Sequence, residues 1–354
     1  MKKIGIITIH NELHHGAALQ AFALCYYLRE QGYYAYIIDY RRNLMVKNEY
    51  PFPINIAYKI MNYPRYRKFR LFMKKMISSK RYNSINEFQN IEEDYDILCT
   101  GSDQVWNPIY SGLNKLNPVY FLDTHSNKYK KISYASSIGA HQFTTEESLL
   151  VNQWLDKYSH ISVREEFAKN EIKRISSKDR EITVVADPTF LLNQNIWSQL
   201  SHNHYLPKPY ILIYSLDNIS LILACARMLK SKTGWQIVRM SNFLSKPQGV
   251  DKNIHFCGPQ DFLGLIKNAN YIITDSFHGT AFSINFRKNF ASIAKKDNPY
   301  RSKSLLCKAG LDDRLVNSIQ EFENLSLNVN YSQIENLESF IVQSKKSLID
   351  FIEK

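Results

Sequence analysis

Short apolar runs that each end in a knot of polar and small residues recur along this chain, separated by stretches with helical spacing. That alternation admits few folds. Ile4–Ile9 reads as a buried strand, and Gly16–Gln31 as a helix carrying Leu19, Phe22, Ala23, Tyr26 and Tyr27 on its apolar positions. Gly32 closes that helix, and Tyr34–Asp39 reads as a second strand. Strand, helix, strand in this order joins parallel strands, so the chain opens as an α/β protein.

The pattern continues with strands at Asp96–Thr100, Lys131–Ala135, His160–Val163 and Glu181–Val185, and a helix at Glu146–Lys157. A polar stretch over 193–209, with Pro207 and Pro209, marks a join. The pattern then restarts: strand Tyr210–Ser215, helix Ile219–Lys230, strand Gln236–Met240, helix Gln260–Ala269, strand Tyr271–Thr274, helix Thr280–Phe286, strand Phe290–Ala294 and a last helix at Ile334–Ile352. The expected organisation is an N-terminal Rossmann-like domain over 1–192, a second over 193–330 and a C-terminal helix in 331–354. Two such halves place a ligand cleft at the C-terminal ends of their strands. A length of 354 residues supports two cores.

Charge is unevenly placed. Residues 41–81 hold twelve lysines and arginines against one acid, Glu49, so +11 of the net +12 lies in this insert of the first domain. Aromatic residues are interleaved there, and a basic aromatic helix around 64–78 suits either a solvated flap or peripheral contact with an anionic membrane. Nucleic acid is not the expected partner. The five cysteines form no CxxC pair, and the histidines form no HExxH or ligand-spaced cluster, so neither a disulfide frame nor a metal site is expected. Ile4–Ile9 is too short for a signal-peptide core, which points to the cytoplasm.

The polar knots carry the candidate site. Tyr271–Ile284 is the most informative: a buried strand runs into Asp275, Ser276, His278, Gly279 and Thr280, and a helix follows. Such a turn leaves backbone N–H groups at a helix start, where they attract an anion. Ser276, Gly279 and Thr280 are therefore expected to bind an anionic donor, His278 to be catalytic, and Lys295, with Lys296, to add charge to the rim. After the first strand, Asn11, Gly16 and Gln20 are expected to face a second ligand; one glycine there is no dinucleotide fingerprint. Gly101–Asn107 offers Asp103 as a base or hydroxyl acceptor and Trp106 as a surface for stacking on a sugar. Arg164 presents a planar fork suited to carboxylate or phosphate, with a salt bridge to Glu165 or Glu166 as its structural alternative.

Together these stretches resemble the polysaccharide pyruvyl transferase family. The matching pieces are Asn11 with Gly16-Ala17-Ala18-Leu19-Gln20, Ile38-Asp39-Tyr40-Arg41, Gly101-Ser-Asp-Gln-Val-Trp-Asn-Pro108, Lys131-Ile-Ser-Tyr-Ala135, Ser162-Val-Arg-Glu165, Asp187-Pro-Thr189 and Asp275-Ser-Phe-His-Gly-Thr280. The resemblance implies a GT-B-like fold and transfer of pyruvate from phosphoenolpyruvate onto a sugar as a ketal, with no cofactor beyond that donor. It also implies that the family's anion-binding arginine maps to Arg164 and its essential histidine to His278. Some members carry an arginine two residues before that histidine, where this chain has Ser276. The implied acceptor is a glycan or a lipid-linked oligosaccharide. A nucleotide-sugar glycosyltransferase of GT-B shape is the alternative; the pair of glutamates eight apart that many retaining members carry is absent from the second half.

Overall fold

A computed structural model describes residues 1–41, 54–111, 113–203, 206–217, 219–241, 246–295 and 300–354, with 54–59 described by backbone alone. Arg42 and Lys47 of the basic insert, and Lys296, therefore lie outside the described residues, as does the side chain of Lys59. The chain divides into two units, one of residues 1–61, 73–191 and 340–354, the other of 62–72 and 192–339.

In the first unit β1 (Lys3–Ile7), β2 (Tyr34–Tyr40), β3 (Ile77–Tyr82), β4 (Ile97–Thr100) and β5 (Lys130–Ser133) form a parallel sheet in the order β3-β2-β1-β4-β5. β6 (Ile161–Val163) and β7 (Ile182–Val184) pair in parallel, and bridges from Ile132 to His160 and from Ser136 to Val163 continue the array. β4 is buried at every position and β1 at all but the first, as expected of parallel strands covered on both faces. Helix α1 (His15–Glu30) makes the crossover from β1 to β2, its entry capped by the His14 ring, which accepts from the Ala17 N–H. The end of helix Glu335–Glu353 belongs to this unit: Leu348 and Ile352 are fully buried, and Phe351 stacks on His160 with 4.7 Å between rings.

The second unit holds six parallel strands: β8 (Tyr210–Tyr214), β9 (Gln236–Met240), β10 (Lys252–Ile254), β11 (Tyr271–Thr274), β12 (Phe290–Ile293) and β13 (Leu315–Val316), ordered β10-β9-β8-β11-β12-β13. Helices Ile219–Thr233, Pro259–Asn268 and Phe277–Asn285 cross between them. The strand order reverses between β8 and β11 here, and between β1 and β4 in the first unit. Ligands of open α/β sheets bind outside the strand ends at such switch points.

The basic insert departs from expectation. Its helix, α2, spans Ile54–Met73, and the expected continuation to 78 is instead a turn into the edge strand β3. Residues 62–72 group with the second unit, not with the first. Asn62, Arg65, Phe69 and Met73 are buried at helical spacing, and Lys68 pairs with Asp261 at 2.7 Å. A buried stripe of this kind requires a partner, so α2 is a packed helix.

Candidate functional site

At the first unit's switch point, close packing sets the geometry. A side chain on Gly101 would stand 3.0 Å from Thr8 Cβ and 3.3 Å from Ile6 Cγ2, so glycine lets the end of β4 lie against β1. The Thr8 hydroxyl donates to the Ser102 carbonyl at 2.8 Å and accepts from Gln20 Nε2 at 3.0 Å. Gln20 thus stands fully buried beneath this turn, its amide also donating to the Ala17 carbonyl. Asn11 is half-buried in the loop after β1, and Gly16 is buried in the first turn of α1.

Asp103 has φ of 73°, a left-handed conformation that costs a non-glycine residue of order 1 kcal/mol. Its carbonyl accepts from Val105 N–H at 2.8 Å and Ser137 N–H at 3.0 Å, and its carboxylate accepts from Gln104 N–H at 2.9 Å. These bonds hold the carboxylate at the strand end.

Arg164 follows β6 directly and is buried. Its Nη1 donates to Asp187 at 2.8 Å and its Nε to Glu165 at 3.3 Å. Asp187 also accepts from the Thr189 N–H and hydroxyl and from Ser102, while Ser137 donates to Glu165. Burial alone would lower the pKa of the guanidinium, but the charges of Glu165, Asp187 and Asp103 outweigh it and hold the pKa above the usual arginine value. Three carboxylates around one guanidinium leave a formally negative cluster. The salt-bridge alternative is present: through Nη1 and Nε, Arg164 ties together the turns after β4, β6 and β7.

Trp106 is corrected outright. It is 1% exposed, stacked on Phe121 at 5.4 Å with Tyr158 edge-on, and its indole N–H donates to the Tyr120 carbonyl at 2.9 Å. The faces expected to receive a sugar are occupied by the core.

In the second unit the helix expected from Thr280 starts at Phe277, because Ser276 caps it by accepting from the Gly279 N–H. His278 consequently lies in the first turn, 2% exposed, its ring edge-on to Phe277 at 5.1 Å. Arg301 lies over the Phe277 ring at 4.8 Å. Asp275, which sequence reasoning left without a role, accepts from the Ser215 hydroxyl at 2.9 Å, Leu216 N–H at 2.7 Å and Asp217 N–H at 2.9 Å, tying the end of β8 to the end of β11. Thr280 donates to the Ser276 carbonyl and shares a hydrogen bond with Ser292 at 2.8 Å. Lys295 is half-buried two residues beyond β12.

Two Rossmann-like units in one chain define a GT-B-like fold, and solved structures share it over the whole length. The chain is 11% identical to a UDP-GlcNAc 2-epimerase from Neisseria meningitidis, solved bound to UDP-GlcNAc, with 99% of each chain covered and a TM-score of 0.57. It is 12% identical to a UDP-N-acetylglucosamine 2-epimerase from Rickettsia bellii, covering 99% of this chain and 96% of that one at a TM-score of 0.55. A Streptomyces glycosyltransferase complexed with thymidine diphosphate is 13% identical, with 100% and 99% covered and a TM-score of 0.50. No curated protein matches the sequence. The profile of the polysaccharide pyruvyl transferase family matches residues 14–297, and the chain belongs to that family.

Proposed function

We propose that the protein transfers pyruvate from phosphoenolpyruvate to a sugar of a cell-surface glycan or of its lipid-linked precursor, forming a ketal and releasing phosphate. The observation that carries this reading is the family match, which includes the buried His278 in the first turn of helix Phe277–Asn285. A carboxylate and a phosphate on one small donor favour the positive end of a helix, and Ser276, Gly279 and Thr280 lie in the cap and first turn at that end.

In the proposed reaction one sugar hydroxyl bonds through oxygen to C2 of the donor while C3 gains a proton from His278. A general base takes the hydroxyl proton. A second hydroxyl then displaces phosphate at C2, and its proton leaves with inorganic phosphate. General acid–base assistance of this kind is worth about 10²–10⁴-fold. His278→Gln should therefore slow acceptor-dependent phosphate release from phosphoenolpyruvate by about a hundredfold or more while the circular dichroism spectrum stays unchanged. Mass spectrometry of candidate glycans after incubation with phosphoenolpyruvate identifies the ketal. Full turnover by the variant overturns the assignment of His278, and nucleotide release from a sugar nucleotide with no ketal favours a glycosyltransferase.

The acceptor side of the proposal includes membrane contact. Ile60, Tyr63, Tyr66 and Leu71 are exposed on α2 beside exposed Arg67, Arg70, Lys74 and Lys75, the mixture that suits an anionic interface. No helix among the described residues is long and apolar enough to cross a membrane.

A further inference from the structure

At the carboxyl ends of β1, β2 and β3, within the first unit, a second cluster of charge stands apart from the Arg164 network. Asp39, next to last in β2, is 5% exposed, and both its oxygens are occupied. Arg81 Nε on β3 donates to Oδ2 at 3.0 Å. Arg41 lies side-on, with Nε 2.6 Å from Oδ1 and Nη2 3.4 Å from Oδ2. The His10 ring, 4% exposed, meets Oδ1 through Nε2 at 3.2 Å and the Thr8 carbonyl through Nδ1 at 3.1 Å. Register makes the arrangement rigid, since Asp39 pairs with Arg81 across the strands and the Arg41 N–H donates to the Tyr82 carbonyl at 2.7 Å.

An acidic residue at the end of the second strand of a Rossmann-like unit ordinarily accepts from ribose hydroxyls. Here both Asp39 oxygens are already engaged, by His10, Arg81 and Arg41. The carboxylate accepts from Arg81 through Nε and from Arg41 through Nη2 instead, and the Arg81 side chain is 57% exposed. Among the described residues the terminal nitrogens of Arg81 carry no hydrogen bond, so that edge of the fork faces outward. Two guanidiniums against one carboxylate give a net positive point. A planar, pre-oriented guanidinium edge matches two oxygens of a phosphate.

We propose that Arg81 and Arg41, oriented by Asp39, form a phosphate subsite of the first unit, separate from the donor turn around His278, and that it takes the diphosphate joining an acceptor sugar to its carrier. The naming of the ligand as an acceptor rests on the proposed function; the anion site itself does not. The same phosphate chemistry reaches a protein from a soluble diphosphate or from a lipid headgroup, so the test uses both.

The full chain is titrated with inorganic pyrophosphate by calorimetry, and its binding to phosphatidylglycerol vesicles is measured by flotation. Arg81→Gln should weaken pyrophosphate binding by about tenfold or more, the scale of losing one charge-assisted fork, with Arg81→Lys intermediate. His278→Gln should retain the Arg81-dependent part of pyrophosphate binding, so a failure of pyruvyl transfer leaves this result standing. Arg81 is largely exposed, which keeps the variant folded; Arg41→Gln provides a second reading in the same direction. Equal pyrophosphate affinity in the parent and in both arginine variants overturns the inference. So does loss of affinity in His278→Gln alone, which places the anion in the second unit, or an effect of Arg81→Gln on vesicles but not on pyrophosphate.

Discussion

Alanine at position 279 would be the better helix former by about 1 kcal/mol, yet it has no room. Its Cβ would stand 2.3 Å from Thr274 Oγ1 and 2.9 Å from Thr274 Cγ2, and Thr274 is a fully buried, β-branched residue whose hydroxyl is fixed on the Tyr214 carbonyl. Overpacking of this kind costs about 1–3 kcal/mol and wins over the propensity gain. Gly279→Ala should lower the melting temperature by about 4–8 °C for a loss near 2 kcal/mol, measured by thermal circular dichroism. Asp39 is a second position where competing effects resolve clearly. Burial works to raise its pKa, but hydrogen bonds from His10, Arg81 and Arg41 overcome that and hold the carboxyl well below the ordinary range. A depressed folded-state pKa contributes stability above the unfolded value of about 3.9, lost as pH falls toward the folded pKa. Asp39→Asn should therefore cost about 3 kcal/mol at neutral pH, and the gap between parent and variant in urea unfolding should narrow below about pH 4. A gap that instead widens on acidification contradicts the geometry.

Helix α2 shows two faces with opposite demands. Phe69, 5% exposed, lies on the buried stripe with Arg65 over its ring at 5.4 Å, so Phe69→Ala should destabilise by about 3 kcal/mol. Tyr63 is 57% exposed, and a double change of Tyr63→Ser and Leu71→Ser should leave the unfolding midpoint nearly unchanged while reducing vesicle flotation severalfold. Elements of this chain were legible where burial imposes a pattern. β9 and β11 are apolar enough that their limits, Gln236–Met240 and Tyr271–Thr274, follow from sequence alone. β3 was missed because Ile77-Ser-Ser-Lys-Arg-Tyr82 is an edge strand with one buried side chain, and its polar positions carry no alternation. The helix start at Phe277 was placed three residues late because a buried serine cap is local chemistry that periodicity does not register. Trp106 was misread for a related reason. A strand end rich in polar and aromatic types looks the same in sequence whether those side chains face a ligand or satisfy one another, and only the partners, here Phe121 and Tyr120, tell which.

At the scale of the whole molecule, the family and the GT-B-like fold agree with the two strand orders, while the acceptor is a question for the chemistry at the strand ends. Thiol burial is also a property of the whole. Burial pushes Cys25, Cys99 and Cys257 up to about 12 and Cys225 up to about 11, whereas Cys307 is exposed, and none of the five is in a disulfide. A thiol reagent should accordingly label one site on the native protein at neutral pH and all five after denaturation, counted by mass spectrometry. The backbone passes between the units four times, at 61/62, 72/73, 191/192 and 339/340. Neither unit is thus a contiguous piece of gene. A fragment ending at Leu191 lacks the Ser344 hydroxyl that accepts from the Ala186 N–H at 2.9 Å, and also lacks Leu348 and Ile352. Dissection at that midpoint should yield an aggregating half-chain, rescued when residues 340–354 are grafted behind it through a flexible tether. Evolution by simple shuffling of one half against another is closed to such a molecule, since each half carries part of its companion's core.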